Sequence, residues 1–219
     1  MSVAHQTNSL DPAPAKVRPA SSVLVWRTYR GGLEVLCGVR NPGMAFAAGQ
    51  IVFPGGRLEA GDARRKSLTP LSDDTRKWLS HESRHKPEGL AHAGLRELWE
   101  ETGYVAGTLH KWGLNGDYGP LQFLLRAITP PGQVRRFDAR FFAFPHDAVR
   151  EKVAPADSHE ELLDLKFRPL DDLFASKLMP PTRIALQQLR DMHQGMFQAR
   201  MMRGRDNVFL MPDPSDHEA

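Results

Sequence analysis

The stretch RELWEETGY, residues 96 to 104, places three glutamates and an arginine within six consecutive positions. On a helix, Glu97, Glu100 and Glu101 stand at i, i+3 and i+4, so their side chains converge on one face. Like charges so close repel, and the face needs a compensating cation: a basic side chain, solvent counter-ions or a bound divalent metal. The pattern predicts a helix from about Pro87 to Thr102. Leu90, Ala91, Leu95 and Leu98 form its core-facing stripe, and Gly103 sits where a left-handed cap is expected.

The chain around this helix is that of an ordinary globular domain. It has 219 residues, 25% charged and 41% hydrophobic, with a net charge of +3. A pI of 9.2 tolerates an anionic partner without demanding nucleic acid. No apolar run approaches bilayer length, and MSVAHQTNSLDPAPAKVRPA has no apolar core of a secretory signal, so the chain reads as soluble and cytoplasmic with no membrane partner. Residues 1–20 read as a mobile lead-in, 21–200 as one catalytic domain and 201–219 as a tail. The single cysteine, Cys37, has no disulfide partner and reads as a small buried hydrophobe.

Within the domain, VLVW and LEVLCGV read as a hairpin turning at Gly31-Gly32, and QIVF as a short strand ending at Pro54-Gly55-Gly56. LQFLLRAIT, RRFDARFFAFP and LLDLKFRPL read as further strands, the last leading into a short helix at DDLFAS. PPTRIALQQLRDMHQGMFQAR reads as a terminal amphipathic helix bearing Ile184, Leu186, Leu189, Met192 and Met196. Residues 63–87, rich in charge, read as an insertion laid on the surface and dispensable for folding.

Gly56, five residues and Asp62, then Glu88, seven residues and Arg96-Glu97-Leu98-Trp99-Glu100-Glu101-Thr102-Gly103-Tyr104, resemble the signature of the Nudix hydrolases. The second half matches at every fixed position. The first half carries Asp62 where the family has glutamate, and residues 63–87 separate it from Glu88. Asp62, Glu88 and Glu160 are outer-shell candidates, with Glu88 favoured over Asp62 because its spacing to Arg96 is intact. The resemblance implies an α+β fold, an α/β/α sandwich with a mixed β-sheet between helices, plus an inserted helical segment. It also implies hydrolysis of a small-molecule diphosphate with Mg²⁺, or alternatively Mn²⁺, as cofactor. By that resemblance Glu97, Glu100 and Glu101 are metal ligands, joined by the Gly55 carbonyl, and Arg96 orients a carboxylate. Glu161 is the candidate general base, although a solvated loop charge explains Glu160 and Glu161 as well. Family enzymes are often dimers, which suggests a homodimer.

LCGVRNPGMAFAAGQIVFPGG is similar to the additional signature of coenzyme A diphosphatases, with Leu36, Arg40, Gly49, Phe53, Pro54, Gly55 and Gly56 in register. Gly38, Asn41 and Ala45 depart from it. The resemblance implies coenzyme A or an acyl-coenzyme A as substrate, with Arg40 and Gly56 at its phosphates. ADP-ribose, NADH or another nucleoside diphosphate derivative is the nearest rival. A non-catalytic nucleotide-binding regulator is a rival of another class. RMMRGR, residues 200 to 205, lacks interleaved aromatics and reads as a solvated helix end, not an RNA platform. His81 and His85 stand at helical spacing without a thiolate or a third ligand, so a polar helix explains them better than zinc does.

Overall fold

A computed structural model describes residues 15–44, 46–154, 161–205 and 207–213. The chain opens with β1 (Val17–Tyr29) and β2 (Gly32–Arg40), joined at Arg30 and Gly31, whose φ values of 49° and 80° suit the tight turn that follows strand twist. Then come β3 (Ile51–Val52), β4 (Gly55–Arg57), α1 (Asp73–Ser80) and α2 (Pro87–Thr102). The strands β5 (Tyr104–Val105), β6 (Gly107–His110), β7 (Gly113–Gly116), β8 (Gln122–Ile128), β9 (Arg136–Pro145) and β10 (Glu151–Lys152) follow. The chain continues through β11 (Leu162–Pro169), α3 (Leu170–Ala175), α4 (Pro180–His193), β12 (Arg200–Arg203) and β13 (Asn207–Leu210).

The main mixed sheet runs β11-β2-β1-β9-β8-β12-β13, with β3 on β2 and β4 on β1. Side-chain alternation divides it into two faces. Val23, Val25, Leu36, Phe123, Phe142 and Phe144 pack under α1 and α2, while Leu24, Val35, Cys37, Phe141 and Ala143 pack under α3 and α4. Helices therefore cover both faces, as the α/β/α expectation required.

The feature that positions the site is the division of labour along β1. Its last residues pair with β2, Trp26 to Tyr29 facing Val35 to Gly32, whereas Ala20, Ser21 and Ser22 pair with Arg57, Gly56 and Gly55 of β4. A Cβ at Gly55 would strike the Ser21 carbonyl and come within 2.7 Å of the Ser22 Cα, so only glycine lets β4 lie this close. Above β1, α2 matches its expected bounds. Leu90, Ala91, Leu95 and Leu98 are buried, the Ser21 hydroxyl donates to the Leu90 carbonyl at 2.6 Å, and Gly103 at φ 75° donates its N–H to the Trp99 carbonyl.

Five expectations are corrected. The segment 63–87 is part of the core: Leu71 and Leu79 are buried beside Leu90, Tyr118 and Leu121, and Trp78 packs on Phe123 at 5.8 Å. Its charges face outward, but Thr75, Trp78 and Leu79 give α1 an inward side. Residues 200–203 form a strand, paired in parallel with β8, with Met201 and Met202 buried on opposite faces. The supposed tail thus begins inside the sheet, and Val17–Ala20 of the supposed lead-in already belongs to β1. Finally, α4 ends at His193, leaving Met196 exposed beyond it. His81 and His85 likewise lie after α1, not on one helix.

Leu79→Ala is expected to cost about 2–4 kcal/mol in chemical denaturation, by lost burial plus a cavity. Deleting residues 64–86 should abolish cooperative unfolding; retained stability would return the segment to the surface.

Candidate active site

Arg96 is the centre of the polar side of α2. Its Nε and Nη2 donate to the two Asp62 carboxylate oxygens at 3.1 and 3.3 Å, its Nη1 to Glu97 at 2.9 Å and Glu100 at 2.8 Å, and its Nη2 also to the Arg57 carbonyl at 2.9 Å. Five bonds use every N–H that a guanidinium has. Burial opposes the charge, but Asp62, Glu97 and Glu100 outweigh it and raise the pKa of Arg96 above its ordinary value.

Asp62 is 3% exposed and also accepts the Glu59 N–H at 2.8 Å, in the short turn ahead of the segment leading to α1. Glu88, which the spacing favoured, instead pairs with Arg76 of α1. The structure therefore brings Asp62, not Glu88, to Arg96; chain closure in space overrides the local spacing. Glu160 and Ala45 lie outside the described residues.

Glu101 points at β4, where its Oε2 accepts the Gly55 N–H at 2.9 Å. A Cβ at Gly56 would collide with the Glu97 carboxylate, so the second glycine makes room for the acid. Arg40, at the end of β2, approaches from the other side: its Nη1 lies 2.9 Å from Glu161 and 3.8 Å from Glu101. Neither local spacing nor periodicity could announce that contact. Burial, with the charges of Glu97 and Glu161, pushes the Glu101 carboxyl up to about 8 against the opposing Gly55 N–H and Arg40. Burial likewise raises Glu97.

Among the described residues no three His, Cys, Asp or Glu side chains already form a ready metal-holding group. Guanidiniums stand among them instead. The donor set nevertheless fits a divalent cation. Among the described residues, the ion pairs of Asp62, Glu97, Glu100, Glu101 and Glu161 run to two cations, Arg96 and Arg40, which leaves hard oxygens and an excess of acidic groups.

Glu101 has a stability consequence. With its folded pKa about 8 and its unfolded value near 4.5, the folded state binds the extra proton between them, so stability falls as pH rises through that window. Metal-free Glu101→Gln should remove this loss, unfolding later than the parent at pH 8 by about 1–3 kcal/mol and little differently at pH 4.5. Denaturant titrations at the two pH values check this; equal stability at pH 8 would refute it.

No family model matches the sequence, and no curated protein is similar to it. Among solved structures, a NUDIX hydrolase from Alicyclobacillus acidocaldarius matches at 25% identity with a TM-score of 0.61, covering 80% of this chain and 91% of its own. A C. elegans Ap4A hydrolase matches at 14% identity and a TM-score of 0.46, over 82% and 99% of the two chains. The NUDIX domain of Shewanella oneidensis NrtR, solved with ADP ribose, matches at 16% identity and a TM-score of 0.45, over 83% and 94%. With its sheet between helices, the acidic face of α2 and the likeness to the Alicyclobacillus protein over four-fifths of its length, the chain is a hydrolase of the Nudix superfamily.

Proposed function

We propose that the protein is a metal-dependent diphosphatase whose substrate is coenzyme A or an acyl-coenzyme A, cleaved to 3′,5′-ADP and 4′-phosphopantetheine or its acylated form. The observation that supports this reading is the place of Arg40. The residue that the coenzyme A-type segment places at the end of β2 meets the Glu101 carboxylate of α2 and that of Glu161, just ahead of β11.

In this reading Glu97, Glu100 and Glu101 hold Mg²⁺ or Mn²⁺, with the Gly55 carbonyl as a further oxygen. Bound there, the ion neutralises phosphate charge and lowers the pKa of water. The chain supplies the rest. Arg96 fixes the directions of Glu97 and Glu100 while Asp62 holds Arg96 in turn. Glu161, one-third exposed beside Arg40, accepts the proton of the attacking water. The water oxygen bonds to one phosphorus, the bridging oxygen leaves with the other phosphate, and Arg40 and the Gly56 backbone line the phosphate oxygens. Glycine at 56 keeps that approach clear of a side chain.

Incubation of the protein with Mg²⁺ or Mn²⁺ and, separately, coenzyme A, acetyl-coenzyme A, ADP-ribose and NADH tests the reading by product analysis. Release of 3′,5′-ADP is expected; AMP from the other two substrates alone would keep the diphosphatase and discard coenzyme A. Glu100→Gln should lower turnover by about two orders of magnitude or more. Its effect on folding should stay under about 1 kcal/mol, because this partly exposed acid loses one ion pair. Full turnover by the variant would contradict its role as a ligand.

A further inference from the structure

The two arginines of the site are held differently. Arg96 spends all its donors on the folded scaffold, whereas the ion pairs of Arg40, among the described residues, both run through Nη1 to Glu161 and Glu101. The root of Arg40 is fixed. Its N–H donates to the Gln50 carbonyl at 2.9 Å, its carbonyl accepts the Gly49 N–H at 2.9 Å, and the neighbouring Asn41 N–H donates to the Glu161 carbonyl at 3.0 Å. Its side chain is 19% exposed, so the head reaches solvent from a fixed base.

A divalent ion at Glu101 and a guanidinium 3.8 Å from the same carboxylate would repel each other strongly in so buried a place. We infer that Arg40 is the internal counter-ion of this site: in the metal-free protein it pairs with Glu161 and is held against Glu101, it gives way at Glu101 to an incoming divalent cation, and in its released position it pairs with the phosphates of a nucleoside diphosphate. This rests on the metal-holding role proposed for Glu97, Glu100 and Glu101. It makes metal and diphosphate binding mutually reinforcing, and the reinforcement is reciprocal by thermodynamic necessity.

Calorimetric titration of the whole protein with Mn²⁺ and with adenosine 5′-(α,β-methylene)diphosphate, each alone and in the presence of the other, tests the inference without turnover. Arg40→Gln should bind Mn²⁺ alone about three- to tenfold more tightly than the parent, and its Mn²⁺-induced gain in analogue affinity should be smaller than the parent's by a similar factor, the remainder coming from the ion's own attraction for the phosphates. Glu161→Gln, which removes one anchor and leaves Arg40 in place, should bind the analogue about threefold more tightly without metal. Unchanged or weaker Mn²⁺ binding by Arg40→Gln, or no gain in Glu161→Gln, would overturn the counter-ion role while parental Mn²⁺ binding kept the metal centre. If Arg40→Gln does not fold, the Glu161→Gln titration decides. A parent that binds no Mn²⁺ at all would overturn both this inference and the proposal beneath it.

Discussion

The organisation of this protein depends on one guanidinium. Arg96 joins Asp62, the Arg57 carbonyl, Glu97 and Glu100, groups that lie up to 39 residues from it in the chain. Without it the acidic face of α2 would be a column of mutually repelling charges on a helix whose opposite side is fully committed to the core. Lysine, with three donors at a single point, has neither the number nor the planar spread to replace it. The same contact fastens the strand–turn segment of Arg57 to Asp62 against the helix, so the cluster and the fold around it are stabilised together.

The remaining acidic groups are what mark the arrangement as a candidate site. Structural acids are normally satisfied one for one, yet here five carboxylates face two arginines, and Glu101 is driven towards its protonated form by its own burial. Such an arrangement costs stability and persists where a ligand completes it. The β1 strand sets the geometry: it accepts β4 along its first half, and two successive glycines bring that backbone under Glu101 and Glu97.

Much of this was legible in the residues, and the exceptions have physical causes. The helix Pro87–Thr102 and its left-handed cap follow from apolar periodicity and one glycine, and the hairpin of β1 and β2 from β-rich runs around a turn. The short strands from β4 to β7 are two to four residues each, too brief for periodicity to register. RMMR hides its strand because its pairing with β8 is made across more than seventy residues of sequence. The core role of residues 63–87 was masked by their charge, since only a few inward side chains carry it. At the site, the glutamates of α2 were recognisable from their spacing. The placing of Asp62, not Glu88, at Arg96 and of Arg40 beside Glu101 and Glu161 depends on distant segments meeting, which no local pattern records.

The most direct test of the account is diffraction from crystals grown with Mn²⁺, collected at the manganese edge. An anomalous peak within coordination distance of the Glu97, Glu100 and Glu101 carboxylates, with Arg40 turned away from Glu101, is the predicted result. A manganese ion bound elsewhere, or none at this face at saturating concentration with Arg40 still on Glu101, would contradict it.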